Sequence, residues 1–155
     1  MGYLIDGHNL IPKIAGLNLS SLDDEQRLIE LLQIFCRVRR QPVEVFFDQA
    51  PPGSSGRKQF GQVVAHFVRQ GRIADQAITD RLDQLGKTAR NWVVVTSDRQ
   101  VQREAKSHHA AILPSEQFAV ELHAALQDAR ASSAGGETKL SEQELEEWLK
   151  LFGNK

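Results

Sequence analysis

Four aspartates stand where the local pattern of this sequence changes. Asp6, Asp48 and Asp98 each close a short apolar run, and Asp75 opens a stretch of helical period. Carboxylates brought close together raise one another's pKa unless a cation neutralises them. Hard divalent ions with oxygen ligands do this, and Mg2+ or Mn2+ suits a site of carboxylates, water and phosphate oxygens. One or two such ions can activate a water and stabilise the leaving oxygen of a phosphodiester. Asn9, three residues beyond Asp6, is a candidate accessory group, as are the hydroxyls of Thr96 and Ser97, and Asp80 adds a carboxylate five residues beyond Asp75. Each has a plainer use as well. Aspartate after a strand is a common turn former, Asp98 can simply cap a helix starting at Arg99, and Asn9 can fix its own loop. A single such aspartate would carry little weight, and three at successive strand ends carry more.

The elements that must position these groups can be read from periodicity. Residues 3–5, 43–47, 63–68, 92–95 and 110–113 are short apolar runs and predict strands, with 63–68 the weaker one. Helices are expected over 21–39 (Ser21 as cap), 73–87, 99–108 and 114–129. The alternation argues for an α/β sandwich with a mostly parallel sheet covered on both faces. A strand order such as 3-2-1-4-5 makes the strands of Asp6, Asp48 and Asp98 neighbours, and sites in such sheets gather at the carboxyl ends of strands. Residues 49–58, rich in Pro, Gly and Ser, read as a flexible loop. The main domain is expected over 1–130, followed by a small-residue linker over 131–140. An amphipathic helix then spans 141–152, with Leu145, Trp148, Leu149 and Phe152 on one stripe. That helix can fold back on its own domain or dock on a protein partner.

Composition narrows the function classes. The chain has 155 residues, a single cysteine and a formal net charge of −1. One cysteine excludes an internal disulfide and a multi-cysteine zinc site, and Cys36 reads as a core residue. The histidines show no metal-ligand spacing, and His66 reads as a strand residue. The Gly53–Lys58 stretch lacks the spacing of a phosphate loop. No apolar run is long enough for a membrane span and no leader is evident, so a cytoplasmic protein is expected. The balanced charge hides an asymmetry. Residues 37–72 hold seven basic residues against Glu44 and Asp48, a local net charge of +5. Arg57, Lys58, Arg72 and Arg99 stand near the aspartates and are the candidate contacts to a nucleic-acid backbone.

Four segments together resemble a known family. Tyr3-Leu-Ile-Asp-Gly-His-Asn-Leu-Ile11 is similar to the opening motif of NYN domains, with His8 at a position usually Tyr. Val45-Phe-Phe-Asp48, Ile73-Ala-Asp-Gln-Ala-Ile-Thr-Asp80 and Val93-Val-Val-Thr-Ser-Asp-Arg99 resemble its later motifs, in order and at the family's spacing. The bacterial YacP-like branch is the most similar, over residues 2–128. The resemblance implies a PIN-like three-layer fold and a metal-dependent endoribonuclease. It implies Asp6, Asp48, Asp75 and Asp98 as the Mg2+ or Mn2+ site, Asn9 and Asp80 as accessory groups, and RNA as partner, including ribosome-associated mRNA. A non-catalytic RNA-binding or ribosome-associated module on the same fold is the alternative. A phosphatase of the haloacid-dehalogenase type is disfavoured, because His8 stands where its second aspartate would be.

Overall fold

The structure, a computed structural model, describes residues 2–14, 22–50, 56–69 and 74–133. Strand β1 (Gly2–Asp6) lies inside a six-stranded sheet between β2 (Val43–Ala50) and β5 (Trp92–Val95). Beyond β2 come β4 (Val63–Arg69) and then β3 (Gly56–Phe60), and beyond β5 comes β6 (Ala111–Leu113). Every neighbouring pair is parallel except β3 with β4. The five strands expected from sequence therefore take the expected order, and β3 is an addition at one edge.

Side-chain alternation along the strands makes two covered faces. Ile5, Val45, Val63, Ala65, Val93 and Val95 face α2 (Leu22–Arg39) and α5 (Ser115–Ser133), where Phe35, Leu122 and Leu126 pack against them. Leu4, Phe46 and Val94 face the other way, toward α3 (Ala74–Leu85) and α4 (Arg99–Ser107), meeting Ile78, Leu82, Val101 and Ala105. The result is the three-layer α/β sandwich that the apolar strands required. On the first face the rings of Tyr3, Phe35 and Phe118 meet with centroids 5.1–5.4 Å apart. Cys36 sits in this core, and burial pushes its thiol up to about 12, so it is a packing group. Among the described residues no helix is long and apolar enough to cross a membrane.

Two expectations need correction. The segment 49–58 is not all loop. β2 continues to Ala50, and Arg57 and Lys58 lie in β3, which forms a tight hairpin with β4. The hairpin closes on Gly61-Gln62, with Gly61 at φ +64°, the backbone sign that a two-residue turn needs at its first position. β3 is exposed along most of its length, which explains its polar composition and its weak signal. Second, α5 runs to Ser133, past the Ala129 expected. The helix expected over 141–152 lies outside the described residues, as does Ser21.

Candidate active site at the carboxyl edge of the sheet

The parallel strands β2, β1 and β5 present their carboxyl ends side by side. Asp6 is the last residue of β1 and pairs in register with Phe46, two residues before Asp48. β5 ends at Val95, beside Ile5, three residues before Asp98. Asp48 does not terminate its strand as expected. It lies where the β2–β4 register shifts between Phe47 and Ala50, an irregularity of the kind that re-aims a strand near a site. Asp75 lies in the first turn of α3, which begins after β4 has run to this same edge. Topology thus brings the backbones of all four aspartates to one edge. The side chains of Asp48 and Asp75 lie outside the described residues.

Gly7, directly after Asp6, follows from packing. The four-residue helix α1 (Gly7–Leu10) turns over the end of β2, and a Cβ at Gly7 would run into the Phe47 ring. Helix α1 carries His8 and Asn9. His8 Nε2 meets Glu25 Oε2 at 2.5 Å, joining the loop after β1 to the start of α2. Its ring lies 5.5 Å from that of Phe47.

Asn9 is a tie between three segments. Its Oδ1 accepts from the Ser97 backbone N–H at 2.8 Å and from the Ser115 hydroxyl at 2.7 Å. Ser97 Oγ donates to Glu116 at 2.9 Å and accepts from the Ser115 N–H at 3.1 Å. That hydroxyl bond, followed by a backbone bond and Lys13, holds the Glu116 carboxyl below its ordinary range. Ser115 and Glu116 were not singled out by sequence reasoning. The available signal was their place at the start of a helix, where a serine and a carboxylate are favoured.

Asp98 is the N-cap of α4. Its Oδ1 accepts from the N–H groups of Gln100 (2.8 Å) and Val101 (3.4 Å). The capping use anticipated for it is therefore real. Both bonds end on Oδ1, so the cap fixes the orientation of the carboxylate while Oδ2 makes no hydrogen bond among the described residues. The buried Thr96 hydroxyl accepts from the Asp98 N–H at 3.1 Å, which sets the turn that presents this carboxylate. Asp80 lies on α3, where it accepts from Gln76 at 3.1 Å. Arg99 is exposed in the first turn of α4, and Arg72 lies outside the described residues.

Arg57 and Lys58, paired by sequence reasoning, are separated by the strand they occupy. Lys58 shares a face with Ala65 and Phe67, on the α2 side of the sheet, whereas Arg57 shares the opposite face with His66. On that opposite face sequence reasoning also missed a buried charged network. Arg81 on α3 grips Glu44 on β2 with two bonds of 2.9 Å, and His66 Nε2 donates to Glu44 Oε1 at 2.8 Å. Burial would raise the Glu44 pKa, but the bonds from His66 and Arg81 outweigh it and hold the carboxyl at about 2. The signal was present in Val43-Glu-Val-Phe-Phe47, because a lone acid in a strand covered on both faces demands a partner.

Among the described residues no three His, Cys, Asp or Glu side chains form a ready metal cluster. The donor chemistry at the edge still fits a hard divalent ion: carboxylates from adjacent strand ends, with the exposed Asp98 keeping Oδ2 clear of its cap.

A mostly parallel sheet inside a three-layer sandwich, with aspartate-bearing segments side by side at the carboxyl edge of β2, β1 and β5, is a fold of the PIN-like class. Within that class the chain belongs to the YacP-like NYN domain family, whose model matches residues 3–152. Solved structures agree on the fold. Rae1 (YacP) from Bacillus subtilis superposes with a TM-score of 0.70 at 20% identity, covering 97% of this chain and 93% of that one. A tryptophan-to-leucine mutant of the same Bacillus subtilis protein gives 0.71 at 22% identity, covering 98% and 92%. No curated protein matches the sequence.

Proposed function

We propose that this protein is a divalent-metal-dependent endoribonuclease, with Asp6, Asp48, Asp75 and Asp98 as the acids that hold Mg2+ or Mn2+. The observation that carries the reading is the adjacency of β2, β1 and β5, which gathers aspartate-bearing segments at one sheet edge. An ion bound there supplies Lewis-acid polarisation of water and of the scissile phosphate. The chain's own residues do the positioning. The α4 cap and the Thr96 hydroxyl hold Asp98 in one orientation. Asn9 ties helix α1 to the turn after β5, so that Asp6 and Asp98 keep a fixed separation. Arg57, Lys58, Arg72 and Arg99 supply positive charge for the RNA backbone, against an acidic edge that would otherwise repel it. Asp80 and Ser97 act as accessories, Ser97 through its tie to Asn9. RNA, including ribosome-associated mRNA, is the substrate class, and the cytoplasm is the expected setting. The nuclease domain runs from residue 1 to the end of α5 at 133, with the linker from there to 140 and 141–152 as the appended helix that docks on the domain or on a partner.

The test is cleavage of single-stranded RNA with Mn2+ or Mg2+. Wild type should cut and lose activity in EDTA, and Asp98→Asn should cut slower by on the order of a hundredfold or more. The capping bonds of Asp98 would by themselves suit the non-catalytic, RNA-binding reading. RNA bound without cleavage by wild type, in either metal, would decide for it.

A further inference from the structure

On the α2 side of the sheet a row of rings leads from the candidate active site to the exposed hairpin. The His8 ring lies 5.5 Å from Phe47. Phe47 stacks on Phe67 with centroids 5.6 Å apart and planes 28° apart. The Lys58 ammonium lies over the Phe67 ring, 5.3 Å from its centroid. Phe47 is fully buried, Phe67 only partly, and Lys58 is exposed. Among the described residues the exposed Lys58 side chain lies over the outermost ring of the row. Phe67 also pairs in register with Phe47, the residue before Asp48. A strand spacing of about 4.8 Å puts it two strands from β1, roughly 10 Å from Asp6 across the sheet.

We propose that Phe67 and Lys58 form a subsite for one nucleobase of single-stranded RNA, next to the scissile position. The proposal rests on the ribonuclease reading and names the face of the sheet along which the strand runs. The base stacks on the outer face of Phe67, in the place of the Lys58 ammonium. Lys58 then swings to the phosphate of the same nucleotide. Stacking of a base on an aromatic ring is stronger than an exposed cation–π contact, so the exchange runs toward the bound state. Stacking also accepts any base, so this subsite contributes affinity and register more than sequence choice. Arg57, on the opposite face, does not share in it.

The experiment uses a short single-stranded RNA carrying 2-aminopurine, bound to the full chain in an Asp98→Asn background, where cleavage is slow enough for binding to be read first. The expected result is quenching of the fluorophore at one position of the strand. Adding Phe67→Leu should abolish the quench and weaken binding roughly tenfold, while Phe67→Tyr retains both. Lys58→Met should weaken binding less and lower the slope of log affinity against log salt by about one. Thermal melts of the two Phe67 variants separate a binding effect from loss of the fold. Phe67→Leu that is folded, binds as tightly as its parent and quenches equally overturns the subsite while leaving the ribonuclease reading intact. A parent chain that binds no RNA overturns both.

Discussion

The two faces of the sheet are held by different physics. The α2/α5 side buries 24 apolar residues in one cluster among the described residues, centred on Phe35 and Phe118. The α3/α4 side buries nine, and into that thinner layer it admits Glu44, His66 and Arg81. A thick apolar layer is stable but weakly directional, since hydrophobic burial depends on area rather than angle. A two-pronged bond between a guanidinium and a carboxylate fixes position, because it is satisfied in one geometry only. The helix held in this way is α3, whose first turn carries Asp75. The first face supplies stability, while the second fixes the register of an element that brings an acid to the site.

The largest effect should come from the apolar face. Phe118 is fully buried against Tyr3 and Phe35, with centroids 5.4 and 5.1 Å away. Phe118→Ala removes that packing and leaves a cavity, at a cost of about 3–5 kcal/mol. A fall of roughly 10 °C or more in Tm is expected for a domain of this size. Leu82→Ala on the opposite face should cost less, since its layer is thinner. Equal losses in a calorimeter would break this division of labour between the two faces.

The charged network comes next, and its signature is pH. Glu44 has a folded-state pKa of about 2 against an ordinary 4.5. A lowered carboxylate pKa gives stability that is fully present above 4.5 and is lost as pH falls toward 2. Arg81→Met removes the fork and leaves a buried charge with His66 alone, costing about 3 kcal/mol at neutral pH. The same variant should lose less on acidification, because less pairing remains to be undone. Urea unfolding at pH 3 and pH 7 measures both quantities. If wild type and Arg81→Met lose the same stability between those pH values, the network is not what fixes α3.

Much of this was legible in the sequence because apolar runs and their periods report directly on burial. Five strands and the four main helices followed from that, and the strand order agrees with the 3-2-1-4-5 arrangement expected of such a sheet. β3 escaped for the same reason: Gly56–Phe60 is an exposed edge strand with almost nothing buried, so it leaves no alternation to read. The four aspartates were visible as residues at boundaries, and the topology brings their backbones to one edge. Asn9 was visible as a candidate, but its partners Ser97 and Ser115 lie 88 and 106 positions away, and no local pattern encodes such a tie. Arg57 and Lys58 show the opposite case. Adjacency in sequence suggested a shared role, and the period of a strand turned the two to opposite faces.

The smallest effect belongs to the amino edge of the α3/α4 face, and it runs against pH in the opposite sense to Glu44. His108, the C-cap of α4, meets Asp83 of α3 at 2.6 Å through Nε2, and its Nδ1 lies 2.8 Å from the Glu104 carbonyl. The bond to that carbonyl, and then the one to Asp83, raises the His108 pKa above its ordinary 6.5. A raised histidine pKa gives stability fully present below 6.5 and lost as pH climbs through the folded-state value. Asp83 is largely in solvent, so the pair should contribute only about 0.5 kcal/mol, and salt should reduce it. His108→Asn should therefore lower Tm slightly at pH 6, leave it unchanged at pH 9, and flatten the decline between them. A variant that melts like wild type at both pH values would show that the α3–α4 link is made by Ile78, Leu82, Val101 and Ala105 alone, leaving Glu44 and Arg81 as the charged anchor of that layer.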